Sequence, residues 1–126
     1  MRVNYSTGAT WEDIVGYCRA VQFGNTIEIS GTVASDGSQV IAQGDLYGQT
    51  RYIIEKIEGV LKQAGFDLKD VVRTRIYVTD ISKWAAVGKA HGEFYKDSKP
   101  VTSMVEVSAL IAPEYLVEIE ATAVKV

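Results

Sequence analysis

The last part of the chain, PVTSMVEVSALIAPEYLVEIEATAVKV at residues 100–126, contains two runs in which apolar and polar residues alternate. Alternation with a period of two is typical of strands that bury one face. The runs cover residues 102–110 and 116–124, and a short link that contains Pro113 separates them. Proline cannot donate a hydrogen bond to a neighbouring strand, so it ends the first run. We therefore expect a hairpin of two antiparallel strands.

The two faces of this hairpin differ in chemistry. One face is apolar and needs cover from another element; it collects Val105, Val107, Ala109, Val117, Ile119, Ala121 and Ala123. The opposite face places three carboxylates beside an apolar side chain; it collects Met104, Glu106, Ser108, Glu118, Glu120 and Thr122. Carboxylates in such a setting need water or cations nearby.

A third strand, predicted over residues 70–79, can supply the cations. Val72, Thr74, Ile76 and Val78 alternate there with Val71, Arg73, Arg75 and Tyr77. If the three strands share a sheet, Arg73 and Arg75 can neutralise the glutamates across neighbouring positions. A solvated sheet face is one interpretation of this pattern. The presence of Tyr77 and Met104 among the charges favours the other, a partly buried polar face at a contact between subunits.

The central part of the chain predicts two amphipathic helices. The first is capped by Asp45 and runs to about Ala64, where Gly65 can close it. The second follows Asp80, which can cap it in the same way. Its apolar stripe consists of Ile81, Trp84, Val87, His91, Phe94 and Tyr95.

The first third of the chain predicts a second hairpin. Residues 17–23 and 26–32 favour strand and are separated by Gly24-Asn25, a two-residue turn signal. A brief helical turn is expected near residues 10–14. The order hairpin, helix, strand, helix, hairpin predicts an α+β two-layer sandwich, with a mixed sheet and both helices packed on one face. The other sheet face is left uncovered, and contact with identical chains in a cyclic homo-oligomer is the common way of covering it.

The composition predicts a single domain over residues 1–126. A chain of 126 residues can bury roughly two thirds of its unfolded surface around one core. Cys18 is the only cysteine, which fits a reducing cytosol, and we expect neither a secretory leader nor a membrane-spanning run. A cytoplasmic protein with no membrane partner is therefore expected. The net charge of −3, without a basic block, argues against nucleic acid as a partner.

Most common catalytic signatures are missing from the sequence. His91 is the only histidine and lies on the apolar stripe of the second helix, where a core or boundary role is the simpler interpretation. One histidine and one cysteine leave little from which to build a zinc site or a Ser-His-Asp triad. Glu118 and Glu120 share a strand face, about 6–7 Å apart, and paired carboxylates can divide acid and base roles. Salt bridges to Arg73 and Arg75 are the alternative, and the favoured one.

Five segments of the chain resemble the reactive intermediate deaminase family, also called the YjgF or L-PSP family. They are VGYCRAV at residues 15–21, ISGT at 29–32, DVVRTRIYVTD at 70–80, and the pair VEV at 105–107 and VEIEA at 117–121. The resemblance implies a chorismate-mutase-like α+β fold and a homotrimer with small-molecule clefts between subunits. It also implies hydrolysis of 2-enamino or 2-imino acids to 2-keto acids and ammonia, with no metal and no other cofactor.

The same resemblance assigns roles to individual residues. It places the family's water-orienting catalytic glutamate at Glu118. The substrate-binding positions fall on Tyr17, Ser30, Gly31, Thr102 and Met104. Two positions depart from the family pattern, because Thr102 replaces a substrate-clamping arginine and Gly88 replaces a cleft asparagine. Further candidates for the cleft are Arg19, Arg75, Gly88 and Glu120.

Thr102 is the departure with the largest expected consequence. A guanidinium holds a carboxylate through two charge-assisted hydrogen bonds, whereas a threonine hydroxyl offers one neutral bond. Loss of the clamp predicts a decrease on the order of 10²-fold in kcat/KM for 2-imino acids, unless Arg19 or Arg75 reaches the cleft.

Three functions stay open: a cofactor-free hydrolase of an imine-like or amide-like substrate, a metabolite-binding or regulatory trimer without catalysis, and, ranked last, an endoribonuclease.

Overall fold

The computed structural model describes residues 1–126. The chain forms a six-stranded mixed sheet, and two long helices cover one face of it. The strands are β1 (Arg2–Tyr5), β2 (Ala20–Phe23), β3 (Thr26–Thr32), β4 (Val71–Val78), β5 (Val101–Glu106) and β6 (Val117–Val124). The helices are α1 (Thr10–Val15), α2 (Leu46–Gln63) and α3 (Trp84–Tyr95), with short 3₁₀ turns at Leu68–Asp70 and Ile81–Lys83. The predicted α+β two-layer architecture is confirmed.

The strand order β1-β2-β3-β6-β4-β5 contradicts the predicted C-terminal hairpin. β5 and β6 are not neighbours, because β4 lies between them. β5 leaves the end of α3, which itself follows β4, so β4, α3 and β5 form a crossover unit that makes β5 parallel to β4. β6 then returns antiparallel to both β4 and β3. The three strands do share one sheet, as expected, but alternation alone cannot reveal which strands are adjacent.

This pairing also reverses the predicted faces of β5. Its parallel register places Thr102 beside Thr74 and Met104 beside Ile76, so these two side chains point toward the helices. Met104 packs against the core, whereas Val105 is 47% exposed on the uncovered face. On β6 the prediction is confirmed, since its core-facing positions are buried: Val117, Ile119, Ala121 and Ala123.

The charges on the uncovered face are arranged partly as predicted. Arg75 forms an ion pair with Glu120 across β4 and β6, with 3.5 Å between the nitrogen and the oxygen. Glu106 lies on the opposite side of the sheet from the arginines and accepts a hydrogen bond from the backbone N–H of Ile81. A register shift near Val72 breaks the alternation of β4, so Val71 is buried and Val72 is exposed, the reverse of the prediction.

The helix boundaries agree closely with the sequence pattern. The carboxylate of Asp45 accepts a hydrogen bond from the N–H of Gly48 at 2.9 Å and caps α2. Gly65 follows α2 with a φ of 84°, a left-handed conformation in which glycine is favoured. α3 begins later than expected, after a 3₁₀ turn capped by Asp80. The predicted stripe is wrong at its start, because Ile81 and Trp84 are 38% and 59% exposed.

The predicted N-terminal hairpin and helical turn are present, but the first strand of the hairpin begins at Ala20 and not at residue 17. β2 and β3 form an antiparallel hairpin around Gly24-Asn25, in which Gly24 has a φ of 58°. Between the sheet and the helices lies the core, whose larger members are Ile27, Ile29, Ile53, Ile54, Ile57, Leu61, Ile76, Val78, Val117 and Ile119. None of the helices has the length and apolar character needed to cross a bilayer.

Candidate functional site

A β-bulge in β3 places Ser30 and Gly31 at the centre of the first group of candidate residues. Ile29 pairs with Ala121 and Thr32 pairs with Ile119, so two residues of β3 lie opposite one residue of β6. A bulge of this kind bends the strand and changes the direction of its side chains. The Ser30 hydroxyl donates to the carbonyl of Cys18 at 2.7 Å, which leaves its oxygen able to accept from a ligand.

Gly31 makes room for the carboxyl group of Glu118. A Cβ atom at position 31 would lie 2.5 Å from Oε2 of Glu118, which is closer than real Cβ contacts allow. Glu118 lies on the uncovered face of β6 and is half-buried. Burial raises the pKa of the Glu118 carboxyl; the Arg19 guanidinium opposes this rise, and the charge of Glu120 adds to it. The result is a carboxyl group that keeps its proton to a higher pH than an ordinary glutamate.

Arg19 approaches the same glycine from the residue just before β2. Its Nη2 donates to the carbonyl of Gly31 at 2.6 Å, and its Nε is buried with no hydrogen-bond partner. No carboxylate oxygen lies within 4.0 Å of its guanidinium, so Arg19 and Glu118 are neighbours that do not form an ion pair. The expectation that Arg19 enters the site region therefore has a geometric basis in its contact with Gly31.

Tyr17 and Ser30 line a cavity of about 380 Å³ on the uncovered sheet face, and the Arg75–Glu120 ion pair lines it too. Cys18 is half-buried beside them, and its thiol donates to the carbonyl of Ala20. We call Tyr17, Arg19, Ser30, Gly31 and Glu118 the open-face group. Arg75 and Glu120, both predicted as further candidates, lie next to this group but neutralise each other.

The remaining predicted residues lie together on the other side of the sheet. Gly88, Thr102 and Met104 line a second cavity of about 330 Å³, at the edge where α3 passes β5. We call it the α3–β5 pocket. His91, Lys96 and Lys99 also line it, and sequence reasoning assigned no site role to these three.

A chain of hydrogen bonds connects His91 to the α3–β5 pocket. Nε2 of His91 lies 2.9 Å from the Thr74 hydroxyl, which lies 2.8 Å from the Thr102 hydroxyl. Thr74 is fully buried, and burial lowers the pKa of His91, so the imidazole is neutral at pH 7. The signal for this chain was present in the sequence, because Thr74 is the only polar residue on the core-facing side of its strand. Its partners depend on strand register and could not be identified.

The open-face group and the α3–β5 pocket lie on opposite faces of one sheet. Glu118 projects from the uncovered face of β6, whereas Thr102 projects toward the side that carries the helices. A small molecule bound to one chain therefore cannot contact both groups. Across the chain, no three histidine, cysteine, aspartate or glutamate side chains converge in a way that could hold a metal ion.

Comparison with known proteins gives a consistent result. A family model described as Endoribonuclease L-PSP matches residues 7–125. A RutC family protein of Pyrococcus horikoshii is 36% identical over 110 residues, covering 86% of each chain. The 3-aminoacrylate deaminase RutC of Acinetobacter baylyi is 32% identical over 108 residues, covering 85% of each chain. Rv2704 of Mycobacterium tuberculosis, a member of the YjgF/YER057c/UK114 family, is a solved structure with 50% identity and a TM-score of 0.90, covering 99% of this chain and 100% of that one.

Proposed function

The chain belongs to the endoribonuclease L-PSP family, which includes the YjgF and Rid proteins, and on this premise we propose that it is a cofactor-free hydrolase of small enamines or imines. The observation that carries the proposal is the half-buried Glu118, whose raised pKa and position beside Gly31 suit an acid–base group. One relative at 32% identity is a 3-aminoacrylate deaminase, which supports the same reaction class. The substrate of this chain is a separate question.

The chemistry requires one water molecule and proton transfers at carbon, nitrogen and oxygen. An enamine first becomes an imine by gaining a proton on carbon. Water then adds to the carbon of the C=N bond, the nitrogen gains a proton, the C–N bond breaks, and ammonia leaves as the C=O bond forms. In this proposal Glu118 orients the water, accepts its proton and returns a proton to the nitrogen. Because its pKa is raised, this carboxyl group accepts a proton more readily than an ordinary glutamate and can return it in the next step.

A homotrimer would place the two groups of residues in one cleft. The uncovered sheet face exposes apolar side chains, among them Phe23, Val101 and Val105, beside a charged centre. Such a surface is suited to contact with copies of itself. In the proposed assembly, the open-face group of one chain faces the α3–β5 pocket of the next. Tyr17 and Ser30 then position the substrate from one side, and Thr102 and Met104 contact it from the other.

The test of this function is the release of ammonia from freshly generated 2-iminopropionate. We expect the wild-type protein to accelerate release above the rate in buffer, and Glu118→Gln to lower its rate by 10²-fold or more, on the order typical for loss of an acid–base group. Glu55→Gln is the matched control, because Glu55 is an exposed carboxylate on α2. A wild-type rate equal to that of buffer, on this substrate and on 3-aminoacrylate, would exclude the deaminase.

A metabolite-binding trimer without catalysis is the second candidate, and Thr102 is the observation that favours it. One neutral hydroxyl in place of a guanidinium holds a substrate less firmly. The weaker contact lowers the rate of turnover, which needs a fixed substrate orientation, more than it lowers occupancy of the cleft. A small molecule that co-purifies with the intact assembly, while every hydrolysis screen stays blank, would support this alternative.

An endoribonuclease ranks last, given the net charge of −3. RNA cleavage that persists in Glu118→Ala would indicate a contaminating nuclease.

A further inference from the structure

The end of α3 is built differently from the ends of the other two helices. α1 and α2 are each followed by a glycine in the left-handed conformation, Gly16 with a φ of 85° and Gly65 with a φ of 84°. After α3 the residue in this conformation is Lys99, with a φ of 52°, and its N–H donates to the carbonyl of Tyr95 at 2.8 Å. A side chain with a Cβ is disfavoured here, and the following Pro100 restricts position 99 further.

A lysine at such a position needs a reason other than backbone geometry, because glycine would satisfy the backbone better. The surroundings of Lys99 supply one. Lys99 lines the α3–β5 pocket together with Lys96, and no aspartate or glutamate is among the residues that line it. Neither lysine has a carboxylate oxygen within 4.0 Å. Two exposed lysines that line the pocket therefore have no ion-pair partner in the chain.

The Thr102 hydroxyl lies in the same pocket and can donate to a ligand. Its oxygen is 2.8 Å from the Thr74 hydroxyl and 3.3 Å from the carbonyl of Pro100, a long and weak contact. When His91 donates from Nε2, Thr74 accepts that bond and donates in turn to Thr102. The proton of Thr102 then points either to the carbonyl of Pro100 or into the pocket, where a ligand oxygen can replace that weak contact. An ammonium and a hydroxyl that line the same pocket can together bind a small anion.

We propose that Lys99, with the Thr102 hydroxyl beside it, holds the carboxylate of a small 2-imino or 2-enamino acid in the α3–β5 pocket. Lys99 supplies in this proposal the positive charge that the neutral Thr102 hydroxyl lacks. Because an ammonium is a point charge and lacks the fixed fork of a guanidinium, it holds a carboxylate with less control of orientation. This inference depends on the proposed function for the identity of the substrate, but the binding of the carboxylate can be measured without turnover.

The experiment compares binding of pyruvate and of its neutral amide, pyruvamide, by NMR titration. We expect the wild type to prefer pyruvate. Lys99→Gly should weaken pyruvate binding about ten-fold, the loss expected for one charge-assisted contact, and leave pyruvamide binding unchanged. Lys99→Gly should also raise the Tm, by about 2–4 °C, because glycine relieves the left-handed backbone. Lys99→Arg should keep the preference for pyruvate. Weaker binding by a more stable variant could not be attributed to damage to the fold.

Ala42→Gly is the matched control, since Ala42 is the other residue that has a positive φ without being glycine, 53°. It should raise the Tm and leave pyruvate binding unchanged. The inference would be overturned if Lys99→Gly and the wild type bound pyruvate with equal affinity. It would also be overturned if the wild type did not prefer pyruvate to pyruvamide. Ammonia release from 2-iminopropionate separates the two proposals. If Lys99→Gly turns over the substrate with an unchanged KM, only the role of Lys99 is disproved. If pyruvate binding depends on Lys99 but no variant releases ammonia, only the hydrolase is disproved.

Discussion

The carboxyl group of Glu118 connects stability with function at the scale of a single residue. Its pKa is raised mainly by burial, so the folded protein favours the protonated form more than the unfolded chain does. A group of this kind contributes stability below its unfolded pKa and loses that contribution as the pH rises through its folded pKa. At neutral pH the folded protein therefore bears a cost for keeping this carboxylate ionised.

Glu118→Gln should remove that cost. We expect the variant to have a higher Tm than the wild type at pH 7, and the difference to shrink as the pH falls to about 4, where the wild-type group is mostly protonated in both states. The measurement is thermal unfolding between pH 4 and pH 8, with Glu55→Gln as the exposed control. A difference in Tm that does not change with pH would show that the effect comes from packing and not from ionisation.

Among single residues, the sequence predicted those whose role depends on their own strand. The catalytic role assigned to Glu118 came from the family resemblance. Its place on one sheet face with Arg75 and Glu120 follows from alternation along β4 and β6. The link from His91 to Thr102 does not, because it needs Thr74 to lie between a helix and an edge strand. Resemblance likewise located Thr102 but gave no reason to examine position 99. Only the backbone angle and the lining of the pocket identify Lys99.

At the scale of secondary-structure elements, the boundaries were more predictable than the neighbours. Asp45 and Gly65 mark the ends of α2 by local chemistry, and Gly24-Asn25 marks a hairpin for the same reason. The C-terminal strands carry no such turn signal, since a link of ten residues, 107–116, joins them. Their alternation fits two adjacent strands and two strands separated by a third strand equally well. The crossover through α3 decides between these two arrangements.

The bulge in β3 gives a prediction at this scale. Gly31→Ala should leave the backbone of β3 in place, since Gly31 has no positive φ, but the new methyl group would displace the Glu118 carboxyl. The obstructing atoms belong to the end of a flexible side chain, so we expect a small change in Tm together with at least a ten-fold loss of ammonia release. The assays are thermal unfolding and steady-state kinetics on 2-iminopropionate.

Gly59→Ala is the control for this prediction. Gly59 lies within α2, and a Cβ there would meet no atom within 4 Å. The substitution should stabilise the protein by about 1 kcal/mol, through helix propensity alone, and leave the rate unchanged. If Gly31→Ala instead retained full activity, the space beside Gly31 would have no role in placing the carboxyl group.

At the scale of the whole molecule, both helices protect the same sheet face, and the site residues are divided between the two faces. The helix side holds the apolar core, so it needs no partner. The uncovered side carries exposed valines of β5 beside the ion pair of Arg75 with Glu120. In the proposed assembly, a single chain presents two incomplete halves of a site. The proposed trimer would complete the site and cover the exposed apolar surface in one step.

Sedimentation equilibrium tests that assembly directly, with an expected mass about three times the chain mass of 13.8 kDa. Val105→Asp places a charge on the uncovered face, where Val105 is 47% exposed, and should shift the protein to a folded monomer. Gln63→Asp, at an exposed position on the last turn of α2, should stay assembled. Because each proposed cleft needs two chains, the monomer should lose ammonia release, while its far-UV circular dichroism stays unchanged. The preference for pyruvate should persist, since Lys99 and Thr102 line a pocket of one chain. A folded Val105→Asp monomer that still hydrolyses 2-iminopropionate would mean that one chain contains a complete site, and the division of residues between subunits would be wrong.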